Sequence, residues 1–465
     1  MVIPAVQEDE FMSEKTKSTL GENGIYDAKS LGTPKMLVLG LQHMFAMFGA
    51  TILVPMLTGL DVSTTLLFAG LGTLLFHFIT KMKVPAFLGS SFAFLGGYFA
   101  IAPNGEKELL PYACVGVACA GLVYLLLALL IKLFGVAKIM KFFPPIVTGP
   151  IIIAIGLTLS QSAIDNCRTN WWVALVAIVL VIVCNIWGKG MIKIVPIIIG
   201  VIGSYLVAAV TGGVDFTSVK EAAWIGFPIK FEQTAFWAFK DGDTALLITA
   251  IITIMPIALA TIVEHIGDIS AISSTVGKNY IQDPGLHRTL TGDGLATSIA
   301  AMFGAPANTT YGENTGVLSL TKVYDPKVVR IAAIFAILFS FCPKFAAIIG
   351  CMPAATCGGV SLVLYGMISA VGVRNIVETK ADFSKSRNVI IAALILVLSI
   401  GIKYSGTGAV DIPVGDLTIS LSGLAVGALV GIILNAVLPG KDYVYDDSKP
   451  DDTGVCFAVK GEDEK

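Results

Sequence analysis

ATIVEHIGDISA (residues 260–271) and NTTYGENTGVLS (residues 308–319) each hold one glutamate, Glu264 and Glu313, inside a long apolar stretch. An ionisable side chain at membrane depth is costly and marks a substrate or proton path. Each glutamate also belongs to a longer motif with an earlier echo. LQHMFAM (41–47) matches VEHIGDI (263–269), so that Gln42 and Glu264 both precede a histidine, 222 residues apart. VPAFLGSSF (84–92) matches APANTTYGE (305–313), with Pro85 and Pro306 221 residues apart and Phe92 and Glu313 each seven beyond their proline. Two unrelated motif pairs at nearly one offset point to an internal repeat.

Around these motifs the chain of 465 residues is 55% hydrophobic and 14% charged, with 48 glycines threaded through apolar runs. Soluble proteins carry about a quarter charged residues, and glycine is commoner in membrane helices than in soluble ones. The composition therefore implies a polytopic protein of the lipid bilayer. Net charge is −2 and no basic patch calls for a nucleic acid. The polar segment 1–34 has no apolar core and is not expected to be a cleavable signal. The eight cysteines show no metal-ligand spacing; six lie in apolar surroundings and read as small buried hydrophobes, and Cys167 and Cys456 are expected to be exposed. No nucleophile–base pair or phosphate loop appears, so neither an enzyme nor a cofactor is expected.

A crossing needs about 20 mostly apolar residues. Spans are predicted at 36–57, 64–80, 110–134, 145–161, 171–188, 193–211, 244–268, 328–349, 353–372, 388–404 and 418–438. Shorter or broken segments fall at 86–102, 292–304 and 306–322, which brings the expected total to fourteen. With the N-terminus inside, 24 of the 31 Lys and Arg residues lie on the cytoplasmic side, as the positive-inside bias requires. Both termini are then cytoplasmic, 212–243 is the main external loop, and the acidic tail 440–465 is solvated.

Seven segments per half is an odd number, so the halves enter the membrane from opposite sides. The fold class expected is an all-α polytopic membrane protein with two inverted seven-segment repeats, a plan common among secondary transporters. The third and tenth segments are broken half-helices, around Gly89–Phe94 and Asn308–Gly316. Corresponding breaks point to the binding site, and half-helix N-termini supply backbone donors there.

Each candidate residue has a second reading. Glu313 either accepts a substrate N–H or completes a capping box with Thr309 and Thr310. Glu264 either binds substrate or pairs with a Lys or His; no Lys or Arg occurs between residues 244 and 276. Asp268, one turn beyond Glu264 on the same face, either shares a proton with it or marks a solvated helix end. His43 and His265 read as interhelical hydrogen-bonding residues rather than proton carriers. Ser90, Ser91, Thr309 and Thr310 are either ligands or small packing residues, and Tyr365 is a substrate contact or a packing aromatic. Two carboxylates, backbone donors and no nearby cation suit a planar neutral heterocycle with adjacent N–H and C=O groups. Glu264 and Glu313 would accept from its N–H groups, and backbone N–H near Phe92 and Gly312 would donate to its carbonyls.

Glu313-Asn314-Thr315-Gly316, followed by Thr321-Lys322, resembles the signature of the nucleobase–ascorbate transporters (nucleobase:cation symporter-2 family). Gln42-His43, SSFAF (90–94), EHIGD (264–268) and GGVSLVLYG (358–366) resemble it too, over about residues 30–440, and TTYGENTGV resembles the uracil permease branch. The resemblance implies a core of segments 1–4 and 8–11 (35–141 and 244–350) and a gate of segments 5–7 and 12–14 (142–243 and 351–439), between tails 1–34 and 440–465. It implies a homodimer contacting through the gates, in the cell membrane. It also implies proton-coupled uracil import by alternating access, with no cofactor beyond the proton. Uracil would meet Glu264 and Glu313 through its N–H groups and backbone at Phe92 and Gly312 through its carbonyls. Ala50 and Tyr311 would line the pocket, and Tyr365 would approach from the gate. Asp268 stands where that branch carries a histidine implicated in coupling and several purine members carry Asp, so a purine (xanthine or urate) symporter is the alternative. An anion exchanger or channel of the same fold is a further one, which the two glutamates oppose.

Overall fold

A computed structural model describes residues 24–189, 191–241, 243–414, 417–441 and 443. Residues 1–23, nearly all of the acidic tail beyond Lys441, and the side chain of Glu313 lie outside the described residues. Among those described, seven helices are long and apolar enough to cross a membrane, and an eighth span arises if one sharply bent pair counts as a single crossing. The chain is a multi-pass membrane protein.

The first half runs α1 (Thr33–Thr58), α2 (Val62–Ile79), strand β1 (Leu88–Ser90), α3 (Leu95–Ile101), α4 (Leu110–Phe134), α5 (Pro145–Arg168), α6 (Trp171–Trp187) and α7 (Pro196–Val210). The second half repeats the order with α8 (Thr244–Ile254) and α9 (Ala258–Val276), α10 (Leu286–Met302), β2 (Asn308–Thr310), α11 (Glu313–Thr321), α12 (Pro326–Ser340), α13 (Pro343–Gly350), α14 (Ala354–Glu378), α15 (Ser386–Lys403), the hairpin β3 (Ala409–Val414) and β4 (Leu417–Ser422), and α16 (Gly423–Val437). All fourteen expected segments are present, in two inverted sevens.

Three elements differ from the sequence reading. The eleventh segment is not one helix over 328–349: α12 and α13 meet at 86°, because Pro343 starts a new helix where it cannot donate to the old ladder. The ninth begins at Leu286, six residues before the apolar stretch that predicts it, since polar His287, Arg288 and Thr289 extend the helix. The predicted external loop is not a free excursion. It carries short helical turns and is tied down: Thr64 Oγ1 donates to the carbonyl of Pro228, Lys230 pairs with Asp61, Gly226 N–H donates to Phe341 and Lys344 N–H to Ala223.

The elements sort by packing into two groups. In one, α4 packs on α10 and α8, and α12 on α2 and α1; in the other, α14 packs on α5 and α6, α15 on α5 and α16, and α7 on α6. Contacts between the groups run chiefly through α7 against α1, α9 against α5 and α16, and β4 against α8. α5 and α14 approach closely along a seam of glycines. A Cβ on Gly156 would sit 2.2 Å from the carbonyl oxygen of Tyr365, and one on Gly372 2.7 Å from that of Gly149. Small residues let membrane helices approach this closely. Gly156→Leu is therefore expected to destabilise the protein by about 1–3 kcal/mol through overpacking, visible as a lowered melting temperature in detergent; an unchanged melting temperature would remove the close seam.

Candidate functional site

The third and tenth segments cross near the middle of the first group as a two-stranded antiparallel sheet. Leu88 faces Thr310, Gly89 faces Thr309 and Ser90 faces Asn308. The pairing extends one step each way, through Ser91 N–H to Ala307 and Tyr311 N–H to Phe87, both 2.9 Å. Polar backbone at this depth is tolerated only where protein satisfies it. Each strand then hands over to a short helix: Phe92 to Phe94 lead into α3, and Tyr311 and Gly312 into α11. Thr309 and Thr310 lie in β2 and give α11 no side-chain cap, while the capping role of Glu313 falls on a side chain outside the described residues. The Thr310 hydroxyl is engaged elsewhere.

Against this crossing lies a cavity of about 430 Å³, lined on one side by Ser90, Ser91, Phe92, Thr309, Thr310, Tyr311 and Gly312 and on another by Glu264, Gly267 and Asp268 of α9. The i, i+4 spacing puts both acids on the face turned to the strands. Glu264 is half-buried and Asp268 buried. Glu313 follows Gly312 directly as the first residue of α11. Leu364, Met367, Ile368 and Val371 of α14 close the opposite wall. The sequence-predicted residues Glu264, Asp268, Ser91, Phe92, Tyr311 and Gly312 are thus brought to one cavity.

Two are not. Ala50 is fully buried on α1, and it is Phe45 and Ala46, about one turn earlier, that line the space. The Tyr365 and Phe92 rings form an edge-to-face pair with centroids 5.7 Å apart, and of the two only Phe92 lines the cavity. Tyr365 packs behind Phe92 instead of contacting the open volume.

The cavity also has lining residues that sequence reasoning missed. Asn185, Lys193 and Arg374 also line it, the last two being residues that the Lys and Arg count assigns to the cytoplasmic side. The expectation that no cation is near the site holds along the sequence but not in space. Asp293 on α10 was missed as well. His265 Nδ1 lies 3.2 Å from Asp293 Oδ2 and 3.0 Å from Thr310 Oγ1, and the Thr310 hydroxyl donates to Asp293 Oδ1 at 3.2 Å. Both ionisable side chains are fully buried. The hydroxyl has one proton to give and gives it to Asp293, so the network assigns the His265 proton to Nδ1. The signal for Asp293 was the one that found Glu264, an acid at the edge of an apolar segment. His43 is likewise interhelical: Asn314 Nδ2 donates to its carbonyl at 3.2 Å and lies 3.2 Å from its Nδ1.

The arrangement offers acid side chains on one helix, uncapped helix N-termini opposite, an aromatic edge and an apolar wall. It can hold a flat polar molecule that both donates and accepts hydrogen bonds. A second cavity of about 690 Å³ under the external loop, lined by Asp61, Lys107, Glu108, Lys230 and Glu232 among others, shares none of these residues.

Residues 34–406 match the Permease family, Xan_ur_permease. The uracil permease of Bacillus caldolyticus is 42% identical over 426 residues, covering 90% of this chain and 94% of that protein. The uracil permease of Bacillus subtilis (strain 168) is 40% identical over 412 residues, covering 86% and 91%. Among solved structures, the transmembrane domain of a cyanobacterium bicarbonate transporter, BicA, superposes with a TM-score of 0.54 at 15% identity, covering 89% of this chain and 99% of that one. At that identity the likeness is one of fold alone.

Proposed function

The chain belongs to the Permease family, and on that premise we propose that it imports uracil across the cell membrane by proton symport. The single observation that carries the substrate is the cavity in which Glu264 and Asp268 face the Phe92 and Gly312 helix starts. Uracil offers two ring N–H groups to acceptors and two carbonyls to donors, which is the complement of that lining. The similarity to uracil permeases over most of the chain supports the same substrate.

Import proceeds by alternating access between a core, α1–α4 with α8–α13, and a gate, α5–α7 with α14–α16. Lys193 and Arg374 of the gate line the cavity, and with both termini on the cytoplasmic side, as the Lys and Arg distribution favours, this supports reading the conformation as inward-facing. Protonation outside neutralises Glu264, Asp268 or both, and neutral uracil binds between the acids and the backbone donors. The core then shifts against the gate, and loss of the proton to the cytoplasm restores the charge and releases the base. The membrane potential supplies about 2.3 kcal/mol per charge per 100 mV, enough to concentrate a neutral solute roughly 50-fold. The functional unit is a homodimer joined through the gate elements.

The substrate is tested by equilibrium binding of radiolabelled uracil to the purified protein. Saturable binding that excess xanthine leaves untouched is expected; displacement by xanthine would favour the purine reading, for which Asp268 is the one specific observation. Coupling is tested separately at that residue. Asp268→Asn is expected to keep uracil binding and uracil exchange but to lose accumulation driven by a pH gradient. Undiminished accumulation would remove Asp268 from the proton path.

A further inference from the structure

A two-stranded sheet consists of two edges, and an edge inside a membrane leaves backbone groups that only protein can satisfy. With Ser91 bonded to Ala307 and Tyr311 to Phe87, alternation along the ladder turns the N–H and C=O groups of Leu88, Ser90 and Asn308 away from the partner strand. Each of these edges meets a side chain. On the β1 edge, Thr73 Oγ1 accepts the Leu88 N–H at 2.9 Å and lies 3.3 Å from the Leu88 carbonyl, while its own hydroxyl donates to Ala69 at 2.7 Å. On the β2 edge, the Thr297 hydroxyl donates to the Asn308 carbonyl at 2.8 Å. Tyr311 Oη donates to the Ser90 carbonyl at 2.7 Å.

Thr73 lies on α2 and Thr297 on α10, the second and ninth segments, and both are fully buried. They stand 224 residues apart, close to the offsets of the two motif pairs. One hydroxyl per repeat thus serves one strand per repeat. The strand edges are held from outside as well: Asn308 Nδ2 donates to the Phe68 carbonyl at 2.7 Å, and a Cβ on Gly72 would come within 2.1 Å of that nitrogen.

We propose that Thr73 and Thr297 are positioning residues for the substrate site: by closing the outer edges of the membrane-embedded sheet they set where the backbone of Phe92 and Gly312 stands. Neither touches the cavity. Their effect passes through β1 and β2, two residues from Ser90–Phe92 on one strand and two from Thr310–Gly312 on the other. The transport readout of this proposal rests on the uracil reading; the structural readout does not.

The test compares Thr73→Val and Thr297→Val, which remove the hydroxyl at nearly constant shape, with Thr73→Ser and Thr297→Ser, which restore it. In the full-length protein each Val variant is expected to bind uracil about tenfold more weakly, as an unmet buried backbone group implies. The KM for uptake should rise by the same factor with kcat within about twofold, and the Ser variants should return to within about twofold of the parent. Hydrogen exchange of the 87–92 and 307–312 peptides in ligand-free protein should be faster in the Val variants than in the Ser variants. Should a Val variant not reach the membrane, Thr→Cys, a weaker donor and a weaker acceptor, is read on the same exchange and binding assays and should fall between Val and Ser. Parental affinity and exchange in the Val variants, or Ser variants as weak as Val, would overturn the proposal. A parent protein that binds no uracil would instead overturn the substrate reading, while exchange still decides the edge role.

Discussion

Glu313→Gln is expected to lower uracil uptake by about a hundredfold or more while leaving the amount of protein in the membrane and its melting temperature unchanged. Glu313 is the first residue of α11, directly after Gly312 of the cavity lining and at the meeting of the two broken segments. In the proposed binding mode a carboxylate there accepts an N–H of the base; an amide presents its own N–H as readily as its oxygen and removes the charge. Hydrogen bonds to charged groups are worth about 1.5–3 kcal/mol, and leaving a buried partner unmet adds a similar penalty. The substitution is nearly isosteric, so packing is spared. Glu313→Asp should retain measurable uptake at a raised KM, because the acceptor survives at shorter reach. Parental uptake by the Gln variant would place the substrate elsewhere.

Asp293→Ala is expected to lose both folded protein and uptake. Its carboxylate lies within 3.2 Å of His265 Nδ1 and receives the Thr310 hydroxyl, with the His265 and Asp293 side chains excluded from solvent. Removing the carboxylate leaves the buried His265 N–H and Thr310 hydroxyl without this acceptor, at about 1–3 kcal/mol for each buried group left unmet. The strand residue Thr310 then loses one of the two contacts that fix its side chain against α9 and α10. A melting curve in detergent, read beside size-exclusion behaviour, checks this. D293N keeps one acceptor for the Thr310 hydroxyl and should fall between the parent and the Ala variant. An Ala variant as stable as the parent would mean that the network contributes little to holding β2.

Much of this architecture was legible in the chain. The repeated QH and EH dipeptides and the repeated Pro-Ala pairs gave the inverted halves, and the polar centres at Gly89–Phe94 and Asn308–Gly316 located the crossing. The i, i+4 spacing of Glu264 and Asp268 placed both on the cavity side of α9. What stayed hidden has physical reasons. Leu88–Ser90 and Asn308–Thr310 are three residues each, too short for a period-2 pattern, so strand pairing within the membrane could not be read from them. Lys193 and Arg374 are far apart in sequence and come to line one cavity only through tertiary packing. Asp293 sat at the margin of a predicted apolar segment whose helix begins earlier, at Leu286. Ala50 and Tyr365 have the right neighbours in sequence, but Ala50 lies one turn further along the same face of α1 than the lining residue Ala46, and Tyr365 stands behind Phe92.

Proton symport of uracil is tested most directly by radiolabelled uptake into proteoliposomes under an imposed inward pH gradient, with and without excess xanthine. The expected result is accumulation above equilibrium that collapses on adding a protonophore and is unaffected by xanthine. Uptake that merely equilibrates, ignores the gradient or is abolished by xanthine would contradict it.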